Sequence, residues 1–186
     1  MITRGHHTCR KDGGTDFVLK NAPFLAIHSP DGNALQPARL QFLGQGYYFW
    51  DNNIEMAMLW GKHHYNNDYF IIESKISITE KNCFDLVGNR EHMILLTELI
   101  TWLKSRGHDK SNWEISKCIE FLKQTGMFKF KCIRAVDHLP PKEYIQEAYA
   151  FVENNKHFTV LNPKIAICML KMHGLPLQTK KLVYES

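Results

Sequence analysis

Between Leu43 and Tyr65 the chain reads LGQGYYFWDNNIEMAMLWGKHHY, and this run narrows the possible local geometry furthest. Gly44 and Gly46 open backbone conformations closed to other residues and let a ligand or a neighbouring strand come close. The consecutive aromatics Tyr47 to Trp50 then predict a short strand leaving a tight turn. Asp51, Asn52 or Asn53 can cap a helix by accepting an orphan N–H of its first turn, and Glu55 suits the positive end of the helix dipole. Ile54, Ala57, Met58 and Tyr65 share one face of that helix. Neighbouring strand side chains point to opposite sides, so of Tyr47 and Tyr48 one packs inward and the other can wall a flat-ring site.

The remaining chain alternates strand and helix signals without a regular βαβ spacing. A strand is expected near MITRGHHT, then a Gly-rich turn at KDGGTD, a helical or extended piece at FVLKNAPFLAI and a loop at HSPDGNALQPAR. YFIIESKISI predicts a strand; REHMILLTELITWLKSRG and SNWEISKCIEFLKQTG predict helices stopped at Gly107 and Gly126. FKFKCIRAV reads as a half-buried strand that turns Lys129, Lys131 and Arg134 toward solvent or a substrate. KEYIQEAYAFVEN suits a helix or a strand, and HFTVLNPKIAICML a strong strand ending at Asn162-Pro163 followed by a second apolar run. No Gly-x-Gly-x-x-Gly opens a helix, which argues against a doubly wound nucleotide-binding fold. The expectation is one α+β domain over residues 1–186, with a mixed, split β-sheet flanked by helices. At 186 residues such a domain buries a substantial core.

A net charge of +4 permits a nucleic-acid partner without demanding one. The five cysteines, Cys9, Cys83, Cys118, Cys132 and Cys168, are odd in number and lack a Cys-x-x-Cys pair, so they read as reduced, mostly buried thiols rather than a disulfide framework or a zinc site. The N-terminal segment lacks the apolar stretch of a signal peptide and no run spans a bilayer, so a cytoplasmic protein away from membranes is expected. The adjacent pairs His6-His7 and His63-His64 are poor metal clips, because neighbouring side chains diverge on a strand and do not converge on a helix. His63 and His64 read as helix-end residues; His6, at a strand end beside Gly5 and Thr8, could face a cleft.

Taken in order, GHHT at Gly5 to Thr8, LGQGYYFWDN with the following Ala and Trp-Gly from Leu43 to Gly61, YFIIESKISI with CFDL behind it, and HFTVLNPKIAI resemble the NAD-dependent ADP-ribosyltransferases of the diphtheria-toxin and poly(ADP-ribose) polymerase type. That family carries a His-Gly-Ser/Thr strand, a Gly-x-Gly-Φ-Tyr-Phe strand followed by a helix, and a late strand running into Asn/Asp-Pro. The resemblance implies the family's split-sheet fold, NAD as co-substrate and a nicotinamide site built on His6 and Tyr48. His7 stands where the family has glycine, and Thr8 matches its small hydroxyl residue. His157 falls on the third catalytic position, where family members with glutamate stabilise the cationic sugar. A neutral imidazole brings no negative charge there, and Glu147, Glu153 and Glu143 are candidates to share the work. Gly46, Tyr47 and Phe49 complete the expected pocket. Arg4 and Arg10 could meet the NAD pyrophosphate through forked guanidinium contacts.

The implied activity is mono-ADP-ribosylation of a macromolecule with release of nicotinamide. RNA or DNA is slightly favoured over protein as acceptor because lysines and arginine alternate with aromatics in FKFKCIR. Small intracellular members of the family are often bacterial toxins or anti-phage effectors, which implies a possible antitoxin partner. A catalytically silent module that binds NAD or ADP-ribose is the alternative, and a plain interaction domain with every ring in the core is a third.

Overall fold

The computed structural model describes residues 1–26, 42–106, 115–137, 148–152, 157–170 and 177–186. β1 (Ile2–Arg10) leads through a turn into α1 (Gly14–Asn21). β2 (Tyr47–Asp51), α2 (Ile54–His64), β3 (Tyr69–Ser77) and β4 (Cys83–Asp85) follow. α3 (Arg90–Ser105) and α4 (Ile115–Gln124) precede β5 (Cys132–Val136). The chain then forms β6 (Ala148–Ala150), β7 (Phe158–Val160), β8 (Ile165–Met169) and β9 (Leu177–Glu185).

Seven strands make one sheet in the order β4-β5-β8-β2-β1-β3-β9. β4 and β5 run parallel and every other neighbouring pair is antiparallel, so the sheet is mixed, as expected for an α+β chain. β6 and β7 form a separate two-stranded ribbon. β1 pairs with β3 along its whole length, from Ile2↔Ser77 to Arg10↔Tyr69, but with β2 only at Gly5↔Asp51 and His6↔Trp50. Beyond His6 the two strands part, and the opening between them positions the site described below.

β3 is apolar on both sides because the sheet is covered on both. Ile71 joins Trp50, Ala57, Phe84, Leu96, Leu103, Ile119 and Ile133 in the core under α2, α3 and α4. Phe70 and Ile72 pack on the opposite face with Cys9 and with Val18 of α1. α2 begins where a cap is available: the Asn53 side chain accepts a 2.9 Å bond from the Met56 N–H. It lies close on the sheet because Gly61 has no side chain, and a Cβ there would stand 2.5 Å from the Tyr69 ring. All five cysteines are free and buried.

Three expectations are corrected. The FKFK segment is outside β5, which starts at Cys132; Phe128 and Phe130 instead fold back on Phe84, with ring centroids 5.6 and 5.2 Å away. Arg134 is turned neither to solvent nor to a substrate. It shares the face of β5 on which Asp51 and Asp85 stand, and its guanidinium donates to Asp51 Oδ2 at 2.6 Å and to Asp85 Oδ1 at 3.2 Å. The Thr3 hydroxyl donates to the other Asp51 oxygen. β7 is three residues long and pairs with β6 rather than entering the main sheet, whereas β8 takes the central place between β5 and β2. β9, an edge strand over residues mostly polar in sequence, was not anticipated. The HSPDGNALQPAR loop and Gly107 lie outside the described residues.

Breaking a buried, hydrogen-bonded ion pair by removing one partner costs about 3–5 kcal/mol, because the other charge is left uncompensated. Arg134→Ala is therefore expected to lower unfolding free energy by that amount, seen as an early urea midpoint. A loss under about 1 kcal/mol, the range of an exposed pair, would show that Asp51 and Asp85 find other partners.

Candidate functional site

The parting of β1 and β2 leaves a cavity of about 340 Å³. Its floor is the β1 run from His6 to Arg10, and its opposite side is Tyr48, Phe49 and Trp50 of β2. Phe17, Phe24, Phe42, Trp60 and Tyr65 complete an aromatic wall contributed by α1, the segment after it, the turn before β2, and α2 with its C-cap. Because the opening passes between strands, the lining draws on both faces of the sheet: Tyr48 and Trp50 from one, Phe49 and His7 from the other. Such a volume, mostly apolar with a few polar groups, suits a small flat ligand or one half of a larger one.

The turn before β2 is shaped by close backbone approach. A Cβ on Gly46 would stand 2.4 Å from Cys168 Sγ and 2.6 Å from the Met169 carbonyl oxygen, so only glycine lets this stretch lie against β8. The Gly46 carbonyl accepts from the Ala26 N–H at 2.9 Å, which ties the segment after α1 to the start of β2 and closes one side of the cavity. The Tyr48 hydroxyl donates to the Gly44 carbonyl at 2.6 Å and accepts from the Leu43 N–H at 3.1 Å. Its phenol is therefore committed to the turn, burial pushes its pKa upward, and the ring itself is what Tyr48 offers a ligand.

His7 spans the opening. Its Nδ1 lies 2.8 Å from the Tyr48 carbonyl oxygen and its Nε2 accepts from the Phe24 N–H at 3.1 Å. These two partners set the tautomer: the proton is on Nδ1, donated to the carbonyl, and Nε2 keeps its lone pair. The imidazole thus replaces strand pairing where the ladder has stopped.

His6 points to the other face and is 5% exposed. Its Nε2 lies 3.4 Å from Glu73 Oε2, and its buried Nδ1 has no hydrogen-bond partner of good geometry among the described residues. Burial lowers the His6 pKa below 6.5; Glu73 and the Trp50 carbonyl pull it up without prevailing, and Arg4 pushes it further down. For Glu73, burial works to raise the pKa, but Lys181 and then His6 outweigh it and hold the carboxyl below its usual range. Thr8 is anchored, its hydroxyl donating to the Ala57 carbonyl of α2 at 2.8 Å. Arg10 stands over the Tyr65 ring at 5.9 Å.

Of the residues expected from the sequence, His6, His7, Thr8, Arg10, Tyr48, Phe49 and Trp50 line this cavity. Arg4, Gly5, Gly46 and Tyr47 are not in the lining: Arg4 is exposed, Gly5 lies beneath Phe49 and Ile76, and Tyr47 packs on the opposite face near Met169. His157 is exposed immediately before β7, where its carbonyl accepts from the Phe151 N–H, and it is not in the cavity lining. Glu143, Glu147 and Glu153 lie outside the described residues. Asp12 and Glu73 were missed. Glu73 had a signal: it is an acid inside YFIIESKISI, where apolar residues occupy both strand parities.

Comparison with protein-family models, with curated proteins and with solved structures returns no match for this chain. What the site does is accordingly read from its own geometry.

The lowered His6 pKa has a consequence for stability. The folded chain binds the His6 proton less readily than the unfolded one, so this contribution is fully present above pH 6.5 and is lost as pH falls through the folded-state value. Unfolding free energy is expected to drop as pH falls below 6.5, and His6→Gln to flatten that segment. Equal slopes in the two proteins would show that His6 does not contribute.

Proposed function

We propose that the chain is a mono-ADP-ribosyltransferase that cleaves NAD, releases nicotinamide and passes ADP-ribose to a macromolecular acceptor. The observation carrying this reading is convergence: His6 and Thr8 from the GHHT motif and Tyr48 and Phe49 from the GQGYYFW motif line the same aromatic cavity. The sheet that parts between β1 and β2 is read as the split sheet of the ADP-ribosyltransferase fold. Breaking the bond between the nicotinamide nitrogen and the ribose moves an electron pair onto nicotinamide and leaves positive charge on the sugar, which the acceptor oxygen or nitrogen then attacks. Rings that hold the departing nicotinamide and polar groups that fix the ribose serve that reaction by orientation and electrostatics. The Tyr48 ring suits the first role and His6 the second.

RNA or DNA remains the favoured acceptor over protein, on the net charge of +4 and the exposed Lys129 and Lys131 rather than on Arg134, which is ion-paired with Asp51 and Asp85. A toxin or anti-phage effector acting in the cytoplasm, held in check by an antitoxin protein, fits an activity that consumes NAD. No helix among the described residues is long and apolar enough to cross a membrane.

One observation favours a second reading, a silent module that binds NAD or ADP-ribose. Asp12 is the carboxylate lining the cavity among the described residues, and His157 is not in that lining. The two readings separate on turnover. With labelled NAD offered beside mixed RNA, single-stranded DNA and a protein extract, nicotinamide is expected to be released and label to appear on one acceptor class. Tyr48→Ala should reduce this at least a hundredfold by removing the ring that positions nicotinamide, whereas Tyr48→Phe, which keeps the ring, should retain most of it. NAD binding without nicotinamide release would establish the silent module, and no binding would remove both readings.

A further inference from the structure

His6, Glu73 and Lys181 occupy directly paired positions on three neighbouring strands, β1, β3 and β9. The row runs from the cavity to the surface. His6 is 5% exposed and lines the cavity, Glu73 is 8% exposed behind it, and the Lys181 side chain is 63% exposed. The contacts are sequential: His6 Nε2 to Glu73 Oε2 at 3.4 Å, and Glu73 Oε1 to Lys181 Nζ at 3.0 Å. A carboxylate this deeply buried persists only when its charge is compensated, and here each oxygen faces a different donor.

We propose that Glu73, held by Lys181, is a positioning residue that fixes the ring and the proton of His6 for the chemistry of the cavity. This rests on the transferase reading above. With a Glu73 oxygen 3.4 Å from Nε2, the proton is assigned to Nε2, which leaves the lone pair on Nδ1 and sets His6 in the opposite tautomer to His7. The row also answers the question raised by a histidine in the third catalytic position. Besides Asp12, which lines the cavity, negative charge reaches it indirectly, from Glu73 through a polarised His6. A histidine whose second nitrogen is held by a carboxylate gains basicity and a defined orientation.

Other charges around His6 are few. Arg4 and Arg10 share its face of β1, Lys75 shares the face of β3, and Asp12 lines the same cavity. β2 contributes the Tyr48 phenol there. The helix packed above, α2, presents its uncharged Ala57 and Gly61 to the sheet and keeps Glu55, Lys62, His63 and His64 exposed.

The test follows the His6 ring by nitrogen-15 NMR of the full chain, its signals assigned by their loss in His6→Gln. The expected spectrum at neutral pH is that of the Nε2–H tautomer. Glu73→Gln should move the His6 titration midpoint down, by removing a negative charge, and Lys181→Met should move it up, by removing a positive one. The second shift is the smaller because Lys181 is exposed and screened by salt. Shifts of opposite sign support the row; a proton on Nδ1, or no response to either change, overturns it. In parallel, Glu73→Gln should cut NAD turnover about tenfold in kcat, with KM nearly unchanged. Unchanged turnover in a variant whose tautomer is altered also overturns the proposal. If the wild-type protein releases no nicotinamide, the transferase reading fails separately, and the NMR shifts alone decide whether Glu73 governs His6.

Discussion

β1 is bonded to β3 at nine positions and to β2 at two, and the imbalance organises the molecule. A strand inserted in the middle of a sheet ordinarily has both edges satisfied, since unpaired backbone groups away from water are costly. Where β2 diverges, something other than a strand must serve. Side-chain and segment contacts do so: the His7 ring bonds the Tyr48 carbonyl and the Phe24 N–H, and Ala26 bonds Gly46. At the other end, Arg134, Asp51 and Thr3 tie β5, β2 and β1 together. One end of the β1–β2 contact is thus clamped by charge and the other is held apart around a cavity, which makes the opening a built feature of the sheet.

The cavity wall shows how aromatics can be both core and site. Trp50 packs in the core under α2 and also lines the cavity; Phe49 belongs to the core of the opposite face and does the same. Rings held on several sides are rigid, and rigid flat surfaces lose little entropy when a flat ligand stacks on them. Tyr48 extends the argument, because its hydroxyl anchors the turn that delivers the ring.

Much of this was legible in the sequence where periodicity or a cap dictated local structure. The glycines, the aromatic run and Asn53 gave β2 and α2 nearly to the residue, and the alternation in YFIIESKISI gave β3. Local signals did not reveal partners. FKFK alternates like a strand, but Phe128 and Phe130 meet Phe84 instead of extending β5, and nothing near Arg134 in sequence announces Asp51 or Asp85. β9 carries polar residues because it is an edge strand, and its weak apolar pattern hid it. The site was half visible. Its two motifs met in one cavity, but Glu73 lies on a strand read only for its β-propensity, and the third motif placed His157 on an exposed ribbon. Motifs specify residues, whereas register specifies which of them face each other.

Edge strand β9 carries a further consequence. Its pairing with β3 slips twice, between Ile71 and Ile72 and between Ser74 and Ile76. Its consecutive lysines are exposed yet reach back to the protein: Lys181 holds Glu73, and Lys180 donates to the Lys20 and Ala22 carbonyls at the end of α1. Irregular pairing and lysines on an outer strand both discourage another chain from adding to a sheet. The strand that supplies Lys181 to Glu73 is therefore also built against strand addition at the open edge, and one short segment bears on colloidal stability and on the His6–Glu73 row alike.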